Sequence, residues 1–125
     1  MIDSNSQVAS FNYIIQVPKP KKILASLYGR LFEKTRGMNL YADLELLLNK
    51  EKNAQVLFDL KNLEYLNSEG LNTLIRCLSL TRKKGGELWI TQPNDSLNDL
   101  FLSTRLSDLF LTIDSTSAWM KLPKD

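Results

Sequence analysis

The stretch "AQVLFDLKNLEYLNSEGLNTLI", residues 54–75, decides the fold. Its first part, Ala54 to Leu60, is a nearly continuous apolar run. Such a run suits a strand covered on at least one face and flanked by other strands, rather than an exposed edge. "KNLEYLN" reads as a loop. Beyond it Leu71, Leu74, Ile75 and Leu78 recur at the spacing of a helix buried along one face. "RKKGG" closes that helix, because Lys83 and Lys84 suit the negative end of its dipole and Gly85 or Gly86 can take the left-handed C-terminal conformation. Ser68 falls at the junction of loop and helix.

Working outward, "FNYIIQV" (Phe11 to Val17) is rich in aromatic and β-branched residues and stops at "PKPKK", so an edge strand followed by a loop is expected. "KILASLYG" (Lys22 to Gly29) places Ile23, Ala25 and Leu27 on one face of a second strand, an antiparallel neighbour of the first. From Gly37 to Lys50, the positions Leu40, Tyr41, Leu44, Leu47 and Leu48 mark the buried face of a helix. Downstream, "ELWIT" (Glu87 to Thr91) is a short strand, and Asn94 or Asp95 can cap a helix carrying Leu97, Leu100 and Phe101. "LFLTI" (Leu109 to Ile113) gives a last strand, and "DSTSAWMKL" (Asp114 to Leu122) a last helix with Ala118, Trp119 and Leu122 inward. The order β-β-α-β-α-β-α-β-α implies an α/β fold: a mixed, mostly parallel sheet of about five strands, with about four helices packed against it.

A chain of 125 residues with 43% hydrophobic content is the size of one domain. The polar residues 1–10 read as a flexible tail and residues 11–125 as the domain. A net charge of +2 argues for neither nucleic acid nor an anionic membrane. No apolar run approaches the roughly 20 residues that cross a bilayer, and the N-terminus lacks the pattern of a signal peptide, so a cytoplasmic protein is expected. A single cysteine, Cys77, agrees with a reducing compartment. Histidine is absent, which excludes Ser-His-Asp and Cys-His nucleophile arrangements and His-rich zinc sites.

The chemistry-bearing candidates thin out quickly. The only glycine pair, Gly85 and Gly86, follows a helix instead of opening one, so no phosphate-binding loop is present and no cofactor or metal is expected. Asp59, at a strand end, is read as a turn former, and Cys77 as a small residue in or near the core. "KPKK" and "RKK" are read as a solvated loop and a helix terminus, and Trp89, Phe101 and Trp119 as core. Ser68 stands apart. Asn67 and Glu69 lift it toward solvent, Gly70 removes a side chain from its approach, and the result is an exposed hydroxyl at a helix N-terminus. Local physics accounts for it as an N-cap.

"VLFDLKNLEYLNSEGLNTLI", with "LYGRL", "KKGGELWIT" and "FLSTRLSDLFLTIDSTSAWMKL" around it, resembles the STAS domain of bacterial anti-sigma factor antagonists, from about Phe11 to Leu122. The centre of that family is a strand ending in Asp-Leu, a loop, then Asp-Ser-Ser-Gly or Asp-Ser-Thr-Gly and a leucine. Asp59 and Leu60 match the strand end, Ser68 the phosphorylated serine, and Gly70 and Leu71 the Gly-Leu, while Asn67 and Glu69 depart from the pattern. The resemblance implies a STAS fold and a non-enzymatic partner switch. Its partners would be an anti-sigma factor that is also a serine kinase and a phosphatase that resets the switch, with no direct nucleic-acid contact and no membrane. Phosphorylation would fall on Ser68 and partner contacts on Asn67, Ser68, Glu69, Gly70 and Asn72. The alternative is a non-phosphorylated STAS scaffold, or a subunit of a stressosome-type or lipid-transporter assembly.

Overall fold

The computed structural model describes residues 11–123, so the expected tail, residues 1–10, lies outside the described residues. The first two strands, β1 (Asn12–Lys19) and β2 (Lys22–Leu31), pair antiparallel with Ile14 opposite Ser26. Helix α1 (Lys34–Lys50) then crosses over to β3 (Gln55–Leu66), which lies parallel to β2. Helix α2 (Ser68–Lys83) leads to β4 (Glu87–Thr91), and α3 (Asp95–Ser103) with a short 3-10 turn leads to β5 (Leu111–Thr112). Helix α4 (Thr116–Met120) is the last regular element among the described residues. The sheet has five strands in the order β1-β2-β3-β4-β5, and every pairing after the first is parallel. The α/β expectation, including the antiparallel hairpin, is met.

Alternation along the strands sorts their side chains between two faces. Ile23, Ala25 and Leu27 of β2 and Val56, Phe58 and Leu60 of β3 enter one large cluster with Leu40, Leu44 and Leu48 of α1 and Leu74, Cys77 and Leu78 of α2. Leu57 and Trp119 are fully buried but lie outside that cluster, as the opposite phase of β3 requires. On that reverse face Lys22, fully buried, donates from Nζ to the carbonyl of Trp119 at 2.8 Å and lies 4.9 Å from the centre of its ring. Helix α4 is thus pinned by one buried cation.

Several element boundaries correct the expectation. Helix α1 begins at Lys34, so Gly37 is inside it. A Cβ there would come within 2.1 Å of Thr73 Oγ1, so the glycine permits close contact between α1 and α2. The last strand is only Leu111–Thr112, because Phe110 turns inward and stacks on Phe101 with centroids 6.3 Å apart. Most consequentially, "KNLEYLN" is largely strand. β3 runs on to Leu66 beside an equally extended β2, with Tyr28 opposite Asn62 and Leu31 opposite Leu66.

The extension is bulged. From the Ser26–Asp59 pair to the Tyr28–Asn62 pair, β2 advances two residues and β3 three; a second slip follows between Gly29 and Arg30. Asp59 sits at the first slip, where its carboxylate accepts a hydrogen bond from the Lys61 amide at 3.1 Å. The turn-forming role expected of Asp59 is thus played inside a strand. Asp59 opposite Thr91 is also the last pair between β3 and β4, so beyond it β2 and β3 continue as a two-stranded spur.

Candidate functional site

The spur carries the chain to the head of α2. Asn67 has extended backbone angles and accepts a hydrogen bond on Oδ1 from the Gly70 amide at 3.0 Å, so Asn67 is the N-cap and Ser68 the first helical residue. The reading of Ser68 as the cap is corrected. The same Asn67 donates from Nδ2 to the Phe32 carbonyl at 3.2 Å, tying the helix start to the chain leaving β2. Freed from capping, Ser68 is exposed, and its hydroxyl makes no hydrogen bond among the described residues.

Gly70 also differs from expectation. It is buried, and a Cβ on it would lie 2.4 Å from the Leu31 carbonyl oxygen and 2.8 Å from Leu66 Cδ2. Its missing side chain therefore seats α2 on the spur instead of clearing an approach to Ser68, and a buried Gly70 offers no side-chain surface to a partner. Glu69 is half-buried, with Oε2 shielded from solvent and unpartnered, in the first turn where the helix dipole favours an anion. Asn72 is exposed one turn beyond Ser68 on the same face. Asn67, Ser68, Glu69 and Asn72 are thus brought together at one surface, and Gly70 lies beneath it.

The structure adds neighbours that the sequence did not single out. Arg30, Phe32 and Tyr65 line a shallow hollow with Asn67, and the Arg30 guanidinium lies 4.8 Å from the centre of the Tyr65 ring. Phe32 and Tyr65 are 38% and 41% exposed, large apolar groups at the carboxyl ends of parallel strands, where α/β sheets commonly bind ligands. Leu60, Leu63 and Leu66, three residues apart, were the signal for a bulged strand that would have found them. Cys77 is fully buried, and burial pushes its thiol up to about 12, so the expected core role holds. No group of acidic or cysteine ligands able to hold a metal occurs among the described residues, and no described helix is long and apolar enough to cross a membrane.

The cap gives a local prediction. Asn67→Ala removes the bond to Gly70 and the bond to Phe32, and is expected to lower the unfolding free energy by about 1–2 kcal/mol in urea titrations. Asn67→Asp keeps the capping oxygen and should recover most of that loss. Equal stabilities for the alanine variant and the parent would contradict the capping assignment.

The family model for the STAS domain matches residues 38–118. An anti-sigma factor antagonist from Mycobacterium paratuberculosis superposes with a TM-score of 0.74 at 15% identity, over 93% of this chain and 96% of that one. The anti-sigma factor antagonist SpoIIAA in its unphosphorylated form gives 0.72 at 11% identity, over 86% and 92%. The Bacillus cell fate determinant SpoIIAA in its phosphorylated form gives 0.70 at 11% identity, over 90% and 100%. No curated protein matches the chain. The likeness to the solved structures is one of fold.

Proposed function

The chain belongs to the STAS domain family, and from that premise we propose that it is an anti-sigma factor antagonist whose binding to an anti-sigma factor is switched by phosphorylation of Ser68. The observation that carries the reading is the exposed, uncommitted hydroxyl of Ser68 on a helix whose cap is supplied by Asn67. A serine that capped the helix would couple modification to folding; here the two are separated. The partner in this reading is an anti-sigma factor that is also a serine kinase, and a phosphatase resets the switch. The protein works in the cytoplasm, as substrate and binding surface, with no catalysis of its own.

Electrostatics makes the switch workable. A phosphate adds about −1.5 to −2 charge at pH 7, and on the first turn of α2 it meets the positive end of the helix dipole, worth about 0.3–1 kcal/mol in its favour. The fold therefore tolerates it. In a closed interface the same dianion has to be desolvated beside Glu69, a like charge next in sequence, and that cost falls on the complex alone. The first half of this division is supported by the fold alone: the chain matches SpoIIAA structures solved in the unphosphorylated and phosphorylated forms with TM-scores of 0.72 and 0.70.

The test compares variants at Ser68 by calorimetric titration against the cognate anti-sigma factor. Ser68→Ala should bind like the parent, and Ser68→Asp should bind about tenfold or more weakly, a change of about 1.4 kcal/mol. Incubation with the partner and ATP should place one phosphate on Ser68, read by mass spectrometry. Phosphate elsewhere only, or none, together with unaltered binding by Ser68→Asp, replaces the switch with a scaffold role in a stressosome-type or lipid-transporter assembly.

A further inference from the structure

Helices α1 and α2 both return antiparallel to the strands they connect, so they run side by side, in contact where Gly37 meets Thr73. Their solvent side is a furrow made of two adjoining hollows of about 290 and 370 Å³ that share Tyr41 and Arg76. Met38, 54% exposed, Tyr41 and Ile75 give it an apolar floor. Its charged rim is one-sided. Lys34, Arg76, Lys83 and Lys84 line it against a single carboxylate, Glu45, and none of these five makes an ion pair among the described residues.

Helix chemistry explains part of that rim. Lys83 and Lys84 sit at the C-terminus of α2, where the dipole favours cations. Lys34 does not fit that account. It is the first residue of α1, whose first turn has no acidic residue, so the cation stands at the positive end of the dipole. Arg76 is exposed in mid-helix, away from either terminus. These two cations face the same hollow from different helices. Arg76 also continues the exposed face of α2 that starts with Ser68 and Asn72, each four residues apart, so the furrow opens from the proposed switch surface.

From this charge asymmetry, apolar floor and continuity we propose that the furrow between α1 and α2 is a docking groove for an acidic segment of a protein partner, one carrying apolar side chains between its carboxylates. The inference rests on the partner-binding role given above and adds the chemistry of the partner. From Thr73 to Lys84 the groove follows α2 for about 17 Å at 1.5 Å per residue. That length takes several residues of a peptide. The rim cations steer and orient the acidic segment, while Met38, Tyr41 and Ile75 take its apolar anchors.

The experiment is a selection of random 16-residue displayed peptides on the full immobilised chain, followed by fluorescence polarisation of the enriched peptides. Enriched sequences should be acidic with interspersed apolar residues. Their affinity should fall at least tenfold for Lys34→Glu with Arg76→Glu, and less for Lys34→Gln with Arg76→Gln, while Arg105→Glu with Lys121→Glu, the same change in net charge elsewhere, should alter it less than twofold. Circular dichroism reports whether each variant is folded, and the exposed positions of the glutamine pair make it the fallback if the glutamate pair is not. No enrichment, enrichment without acidic bias, or equal binding by the furrow and control variants overturns the proposal. Because the library contains no anti-sigma factor and Ser68 is untouched, this outcome is independent of the Ser68 titration, and either can fail alone.

Discussion

Trp119→Ala is expected to lower the unfolding free energy by about 3–5 kcal/mol, the cost of emptying a large aromatic site in a packed interior. That is a large share of the roughly 5–15 kcal/mol that holds a domain together. Trp119 is fully buried on the reverse face of the sheet, and α4, which carries it, spans only Thr116–Met120. A helix that short has little stability of its own, so its place depends on the indole and on Lys22. Burial, with Lys19 as the second cause, pulls the Lys22 ammonium below its usual range, as befits a cation whose surroundings must compensate lost water. Without the ring, Lys22 keeps the Trp119 carbonyl only if α4 stays docked. Equilibrium urea unfolding of parent, Trp119→Ala and Trp119→Phe should rank them in the order parent, phenylalanine, alanine. A loss below about 1 kcal/mol for alanine would mean that α4 is not a structural part of the domain.

Gly70→Ala is the second expected large effect, about 2 kcal/mol destabilising within the roughly 1–3 kcal/mol typical of overpacking. On helix propensity alone alanine would gain about 1 kcal/mol over glycine, so the two terms oppose each other. Geometry decides between them. The added methyl meets the Leu31 carbonyl oxygen at 2.4 Å, and that atom belongs to the backbone of β2 and cannot rotate away. Relief requires α2 to lift from the spur, which also strains the Asn67–Gly70 cap. The variant should therefore unfold at lower urea and show faster exchange of the amides in the first turn of α2. A more stable variant would show that α2 is seated elsewhere.

Much of this architecture was legible in the sequence because its segments obey one period at a time. Leu40, Leu44 and Leu48 are fully buried where the helical stripe placed them, and Val56 and Phe58 lie in the core as a flanked strand demands. Asn94 was one of two candidate caps, and the structure selects it, with Oδ1 accepting from the Leu97 amide at 2.8 Å. Gly85, likewise one of two, takes the left-handed conformation with φ of 85°. The spur was not legible. Its bulges turn the strand period of two into leucines three apart, a spacing that by itself reads as a helical turn and points to a strand only once bulges are allowed for. The role of Gly70 escaped for another reason: it depends on a carbonyl 39 positions away in the chain, Leu31, which no local pattern reports. Arg30, Phe32 and Tyr65 were lost with the spur that carries them.

Asn94 also bears on the spur. Its Nδ2 donates to the Leu63 carbonyl at 3.2 Å, occupying an edge of β3 that β4 no longer covers. On its inner side the spur still belongs to the layer in which the sheet meets its helices, through Leu31, Leu63 and Leu66. Surface side chains on the spur, such as Arg30, Phe32 and Tyr65, can be exchanged without reopening that layer. Fold likeness to the solved structures at 11–15% identity shows that this scaffold stands on few side chains held in common.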